Sequence, residues 1–134
     1  MSREEAAIVR RAYEVWNESG PEAVTEQFYA EDAVYREMPG WPDAGVFEGR
    51  AAALARMQSL VELVGPITVS LDDLIDAGGG RYVANVRMVG ESAKGHPPYT
   101  REFAVVHHMR DGLMVAADYY LDRSQAREAV GLSE

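Results

Sequence analysis

Glu37, His107 and Arg87 are the residues of this chain whose types and positions could move a proton, and Tyr35 and Tyr119 could hold an oxygen atom beside them. Glu37 closes a short strand, and desolvation turns a carboxylate at a strand end facing an apolar cavity into a usable general base. The alternative is a salt bridge with Arg87, Arg36 or Arg101, and both readings stay open. Arg87, read on the face that points into the same cavity, would neutralise a substrate carboxylate, polarise a carbonyl or simply compensate Glu37, which is the commoner use of a buried arginine. His107 lies on an apolar strand face and His108 on the opposite one, so the two cannot bind one metal from one side. An imidazole suits general acid–base work, or His107 is a core histidine with its hydrogen bonds met. Buried Tyr35 and Tyr119 hydroxyls would face a substrate oxygen or a backbone partner. No Ser-His-Asp order, metal-ligand cluster or nucleotide fingerprint stands out, and no helix follows Gly78-Gly79-Gly80 to make it a phosphate loop. The expectation is a site without metal or cofactor.

The elements that must position these groups are dominated by the stretch from Tyr99 to Leu132, a long strand, a turn at Asp111-Gly112, a second long strand and a short closing helix. A two-residue turn would put Asp118 and Tyr120 beside Phe103 and Val105. A three-residue turn with Gly112 left-handed in a bulge pairs Phe103 with Tyr119 and His107 with Val115. The second sorts the residues better, with Arg101, Phe103, Val105, His107, Val115, Ala117, Tyr119 and Leu121 on one face.

Upstream, Ser2 with Glu5 makes a capping box, and Ile8, Val9, Ala12, Tyr13, Val15 and Trp16 form an apolar stripe on a helix from about Arg3 to Asn17. Gly20-Pro21 ends it, and Ser19 with Glu22 caps a short second helix up to Tyr29. A brief strand, Ala33 to Glu37, leads into a loop from Pro39 to Gly49 that holds Trp41 and Phe47. Leu54, Met57, Val61 and Val64 mark a third helix ending at Gly65-Pro66. Strands follow from Ile67 to about Ala77 and from Tyr82 to Val89. On the latter, Tyr82, Ala84, Val86 and Met88 share one face and Val83, Asn85, Arg87 and Val89 the other. Gly90 to Pro98 is a polar connection, and Asp122 caps the terminal helix. This order predicts an α+β domain spanning residues 1–134, with three helices over the concave face of a curved antiparallel sheet. If Ala84, Val86, Met88, Ala104, Val106, Met114 and Ala116 line the other face, that face is apolar, and the expected partner is a second copy in a homodimer through the sheet.

Composition limits the partners. With 134 residues the chain is one domain able to enclose a cavity without disulfides. Its 13 Lys and Arg against 22 Asp and Glu give a net charge of −9, which argues against nucleic acid or an anionic membrane surface. There is no cysteine, so thiol chemistry and thiolate metal sites are excluded. No signal peptide or membrane span is visible, and the expected location is cytoplasmic.

The segment WNESGPEAVTEQFYAEDAVYREMPG, the helix opening at Gly49 and the stretch RDGLMVAADYYLDRSQAREAVGL resemble the nuclear transport factor 2-like superfamily, in particular its SnoaL-like and limonene-epoxide-hydrolase-like branch. The resemblance covers almost the whole chain. It implies a cone-shaped, cystatin-like α+β barrel whose ligand sits between the first and third helices and the sheet. Tyr35-Arg36-Glu37-Met38-Pro39 resembles the Tyr-x-Asn-Met-Pro segment of limonene epoxide hydrolases, with Glu37 in place of Asn. Their Asp-Arg-Asp set falls on Arg87, Asn85 and Tyr119, none of which matches, so epoxide hydrolysis is implied only with a non-standard catalytic set. The proton-shuttling Asp of ketosteroid isomerase falls near Glu37, and its tyrosine on the first helix near Ala12 or Tyr13. On this resemblance Tyr13, Trp16, Trp41, Phe47, Met57 and Phe103 line an apolar pocket. Glu37, helped by His107, moves a proton while Arg87, Asn85, Tyr35 and Tyr119 hold oxygen atoms of a mostly apolar small molecule. The rival readings are a non-catalytic binding module on the same cone and a scaffold with a filled core.

Overall fold

The computed structural model describes residues 2–41, 44–91 and 97–132. Helix α1 (Ser2–Ser19) buries Val9, Ala12 and Val15 and carries Glu4 and Glu5 in its first turn, where acidic side chains suit the helix dipole. It ends at Gly20, whose φ of 90° few other residues tolerate, and Pro21 opens α2 (Pro21–Phe28). The Ser19–Glu22 capping box does not form: Ser19 belongs to the last turn of α1, and the N-cap of α2 is Gly20, which has no side chain to offer. The Ser2 side chain, the middle of the loop at 42–43 and residues 92–96 of the polar connection lie outside the described residues.

Six strands follow: β1 (Tyr29–Glu37), β2 (Val46–Glu48), then after α3 (Arg50–Val64) β3 (Ile67–Gly78), β4 (Arg81–Gly90), β5 (Tyr99–Arg110) and β6 (Leu113–Tyr120). They form one sheet in the order β2-β1-β6-β5-β4-β3, which is α+β as expected. Two details differ from expectation. The sheet is open and mixed, because β1 pairs parallel with β6, a relation that alternation along either strand cannot reveal. And the aromatic loop contains a short edge strand, β2, which sets Phe47 opposite Tyr35.

The hairpin closes by a different device from the one the sequence suggested. Arg110 pairs with Leu113, so the turn has two residues, with Asp111 at φ 55° and Gly112 at φ 80°. The register then shifts between His108 and Met109, setting Val105 opposite Tyr119 and His107 opposite Ala117. That irregularity restores the parity the two-residue turn would lose. Phe103, Val105, His107, Ala117 and Tyr119 therefore do share a face, while Met114 joins them there.

Helices α1, α2 and α3 cover that face. Helix α4 (Arg123–Ala129) lies on the other, where Ala126 and Val130 seal Val83, Ala104 and Val106. Its first turn is capped by Asp122, whose carboxylate accepts from the Ser124 backbone N–H at 2.9 Å. Of the residues expected to leave an apolar outer face, Ala104 and Val106 do lie there but are covered by α4, and four others lie inside. Ala84 and Val86 pack inward beside Phe103 and Val105, and Met88 and Met114 border the inner cavity. A homodimer through the sheet loses that argument.

Edge strand β3 is guarded by α1. Asn17 donates to the Val69 carbonyl at 2.8 Å and accepts from the Val69 N–H at 2.9 Å, and the Trp16 indole donates to the Ile67 carbonyl at 2.9 Å. The side chains replace a neighbouring strand along that stretch. Gly90 closes the far corner: a Cβ there would lie 2.7 Å from the Val64 carbonyl oxygen and side chain. Gly90→Ala therefore pushes α3 off the end of β4 and is expected to cost about 1–3 kcal/mol. Urea denaturation should show a lower midpoint with unchanged slope; an unchanged midpoint would mean that α3 yields freely.

Candidate functional site

Between the three helices and the inner sheet face lies a cavity of about 90 Å³. Alternate residues of β5, Phe103, Val105 and His107, form its floor, because side chains two apart on a strand point the same way. Tyr13 and Trp16 on α1, Met57 and Leu60 on α3, and Tyr29, Tyr35 and Tyr119 on β1 and β6 close it.

Its polar centre joins α1 to β5. The Tyr13 hydroxyl and His107 Nε2 are 2.7 Å apart, with the rings edge to face at 5.6 Å. His107 is 3% exposed, and burial, with the nearby His108 adding to it against the pull of Asp118, takes its pKa down from 6.5 to about 3. The ring is neutral at pH 7. Its Nδ1 is buried without a partner. An orphaned buried N–H is rarer and costlier than a bare ring nitrogen, so the pattern assigns the proton to Nε2, donating to the Tyr13 oxygen. The Tyr13 hydroxyl proton is then left for a group in the cavity. Burial also raises all four phenols: Tyr29 to about 12, and Tyr13, Tyr35 and Tyr119 well above their ordinary value. The cavity wall is thus a set of neutral hydrogen-bonding groups in apolar surroundings.

The remaining candidates divide. Tyr35 stacks on Tyr119 at 4.4 Å, and Phe103 lies 6.1 Å from Tyr119 on its other side. Trp41 does not border the cavity; it braces this row edge-on against Phe103 at 5.4 Å and donates to the Tyr119 carbonyl at 2.9 Å. Phe47 likewise stands behind Tyr35, with the Arg56 guanidinium over its ring at 5.4 Å.

Glu37 is not a lone carboxylate facing the cavity. Its two oxygens accept from Arg56 Nε and Nη2 at 2.8 and 2.9 Å, and its side chain is 1% exposed. The partner is none of the three arginines expected. Arg56 escaped notice because it sits on α3 among alanines, with no acidic neighbour at helical spacing to mark its role.

Arg87 and Asn85 are corrected outright. Both lie on the outer face, since β4 sets Ala84 and Val86 opposite Val105 and Phe103. Arg87 is half-exposed and pairs with Glu102 at 2.9 Å and Asp72 at 3.5 Å. Asn85 donates to Asp73 Oδ1 at 2.5 Å. The positions on which an epoxide-hydrolase set would fall, Arg87, Asn85 and Tyr119, are therefore split between two faces of the sheet. The misreading has a physical cause: α4 seals Val83 from outside and Asn85 is buried on the same face, so the middle of β4 is buried on both faces and alternation cannot tell them apart. Also outside, Asp118 accepts from Arg36 at 2.5 Å and lies 2.9 Å from His108. Burial alone would raise its pKa, but the hydrogen bonds from His108 and Arg36 outweigh this and hold it below the usual carboxylate range. Tyr29, Met88 and Met114 were missed as wall residues; Tyr29 reads as a helix end, and Met114 changes face at the register shift.

Among the described residues no three His, Cys, Asp or Glu side chains converge where a metal ion could sit, and no helix is long and apolar enough to cross a membrane. An open α+β sheet with helices over a tyrosine-lined cavity defines a cystatin-like, nuclear transport factor 2-like fold. Residues 9–117 match the SnoaL-like domain, and the chain belongs to that family. Similar solved structures include a nuclear transport factor 2-like protein of unknown function from Burkholderia pseudomallei K96243, 18% identical over 96% of this chain and 98% of that one at TM-score 0.74. A protein from Jannaschia sp. CCS1, provisionally described as a SnoaL-like polyketide cyclase, is 15% identical over 98% and 94% at TM-score 0.73. A hypothetical protein with a ketosteroid isomerase-like fold from Catenulispora acidiphila DSM 44928, in complex with trimethylamine, is 16% identical over 93% and 92% at TM-score 0.73. No match is found among curated protein sequences.

Two outcomes follow from the buried polar groups. Unfolded His107 takes up a proton near pH 6.5 and the folded ring only near pH 3, so between those values the unfolded state binds more protons and stability falls as pH falls. The expected contribution is a slope of up to about 1.4 kcal/mol per pH unit. Urea midpoints between pH 5 and 7 should show this slope in the wild type and its loss in His107→Gln; equal slopes would mean that the folded ring titrates normally. Arg56→Met strands the Glu37 carboxylate and should cost about 3–5 kcal/mol, whereas Glu37→Leu with Arg56→Met should recover most of that loss. Additive losses would show that the pair is not a coupled unit.

Proposed function

We propose that this SnoaL-like protein is a cofactor-independent enzyme of the isomerase or cyclase type, moving a proton on a small, mostly apolar substrate that carries a carbonyl or phenolic oxygen. The observation that carries the reading is the 2.7 Å contact of Tyr13 with a neutral His107 in an otherwise apolar cavity. A neutral imidazole that cannot readily become charged serves better as a hydrogen-bond donor than as a proton store. Donating through Nε2, it polarises the Tyr13 hydroxyl, and that hydroxyl meets the substrate oxygen. As a C–H proton passes to a water molecule admitted with the substrate and is returned to another carbon, negative charge gathers on this oxygen, and a pre-oriented donor in apolar surroundings stabilises it more than it stabilises the ground state. Tyr35 and Tyr119 add further hydroxyls, the first hydrogen-bonded with Glu37 and the second with Tyr29. The general fold class, shared with a neighbour described as a polyketide cyclase, fits this chemistry without specifying a substrate.

A second reading has its own observation. Both oxygens of Glu37 are taken up by Arg56, which leaves the cavity without a free carboxylate base and suits a non-catalytic binding module. A thermal-shift screen of phenols, small ketones and polyketide-like aromatics separates the readings, since a ligand at a hundred times its Kd adds about 2.7 kcal/mol of stability. Product analysis follows for any class that shifts the protein. For an enzyme, Tyr13→Phe should lower kcat about 100-fold with little change in KM. Binding without product, or turnover unaffected by Tyr13→Phe, overturns the catalytic assignment.

A further inference from the structure

Two recesses of the molecule meet at two residues. The inner cavity of about 90 Å³ and a more open groove of about 230 Å³ share Trp16 and Ile67 in their walls. The groove runs past the Gly20-Pro21 break after α1 and past Pro66 at the start of β3, with Val61 of α3 along its side. Trp16 stands half-buried between the two, its indole N–H donating to the Ile67 carbonyl at 2.9 Å. The next residue, Asn17, is fixed to Val69 by two hydrogen bonds, so the helix end that carries the indole is anchored to the edge strand.

We propose that Trp16 is the end wall of the cavity and sets the length of the ligand it accepts. This deepens the reading above and rests on it. The inner cavity holds several times the volume a buried water needs, yet falls short of the roughly 300–1,000 Å³ of ordinary ligand pockets. It suits a single-ring compound whose oxygen meets Tyr13 and whose opposite end stops at the indole. A longer tail has to push the indole aside, which leaves its N–H and the Ile67 carbonyl unpaired. With the indole removed, cavity and groove become one cleft, and the tail runs out between α1 and β3.

The probes are para-alkylphenols from cresol to hexylphenol, titrated calorimetrically into wild type, Trp16→Ala and Ile67→Ala, with circular dichroism to verify folding. Each methylene that enters apolar surroundings strengthens binding about fourfold. In the wild type this gain should stop and reverse partway along the series, and in Trp16→Ala it should continue further. Ile67→Ala thins the same partition from the other side and keeps the indole, so it should shift the limit in the same direction. Should Trp16→Ala not fold, Ile67→Ala decides alone. An identical limit in wild type and folded variants, or no limit in the wild type, overturns the end-wall role while leaving the pocket reading intact. Failure of every phenol to bind any of the proteins overturns both.

Discussion

The parallel pairing of β1 with β6 is the constraint on which the rest of the molecule depends. It joins the first third of the chain to the last strand at a fixed register, Tyr35 opposite Ala117, Arg36 opposite Asp118 and Glu37 opposite Tyr119. Because successive residues face opposite ways, that one register does two things at once. Inside, it stacks Tyr35 on Tyr119 and brings Glu37 under α3, where Arg56 meets it. Outside, it delivers Arg36 to Asp118, which His108 of β5 also contacts. A slip of β1 by one residue would turn Tyr35 and Glu37 to the outer face and Arg36 toward the cavity, so both faces defend the same alignment.

How much of this was legible in the sequence varies with how many faces of an element are covered. The helices of the first third could be read because each shows one apolar and one polar face, and the hairpin because Asp111-Gly112 separates two long apolar strand runs. On β5 the inward residues Phe103, Val105 and His107 match the expectation for a different reason, since a two-residue turn followed by a register shift gives the same parity as a three-residue turn; on β6 Ala117 and Tyr119 match, but Met114 rather than Val115 faces the cavity. On β4 alternation misleads, since α4 seals Val83 on the outer face while Ala84 and Val86 are buried on the inner one, which leaves apolar residues on both sides. Asn85 and Arg87 were drawn into the site by that ambiguity. Tyr13, Trp16, Tyr35, Met57, Phe103, His107 and Tyr119 do come together around one cavity. Arg56 was invisible for a different reason, because an ion pair between a strand end and a distant helix leaves no local spacing to detect.

The electrostatics of the interior follow from keeping charge out of it. Where a full charge is buried it is matched at once, as Glu37 is by the two-pronged contact of Arg56, the geometry in which a guanidinium best repays desolvation. Where burial outweighs any counter-charge, the group is neutral: His107 gives up its proton and four tyrosines keep theirs. The cavity is therefore polar without being charged. It can orient an oxygen atom and respond to charge that develops there, but it offers a permanently ionic ligand no compensating partner among the groups that border it.

Helix α1 ties these features into one device. Tyr13 supplies the hydroxyl beside His107, and Trp16, one turn further on, forms the wall between cavity and groove. Asn17 occupies the hydrogen-bonding groups that an unpaired edge strand would otherwise expose. Protection of the edge and shaping of the cavity are thus not independent. The anchoring that keeps β3 from pairing with another chain also fixes the position of the indole relative to the hydroxyl. Loosening the clamp at Asn17 should therefore reach the ligand site as well as the edge, because Tyr13 and Trp16 stand within about one turn of it on the same helix.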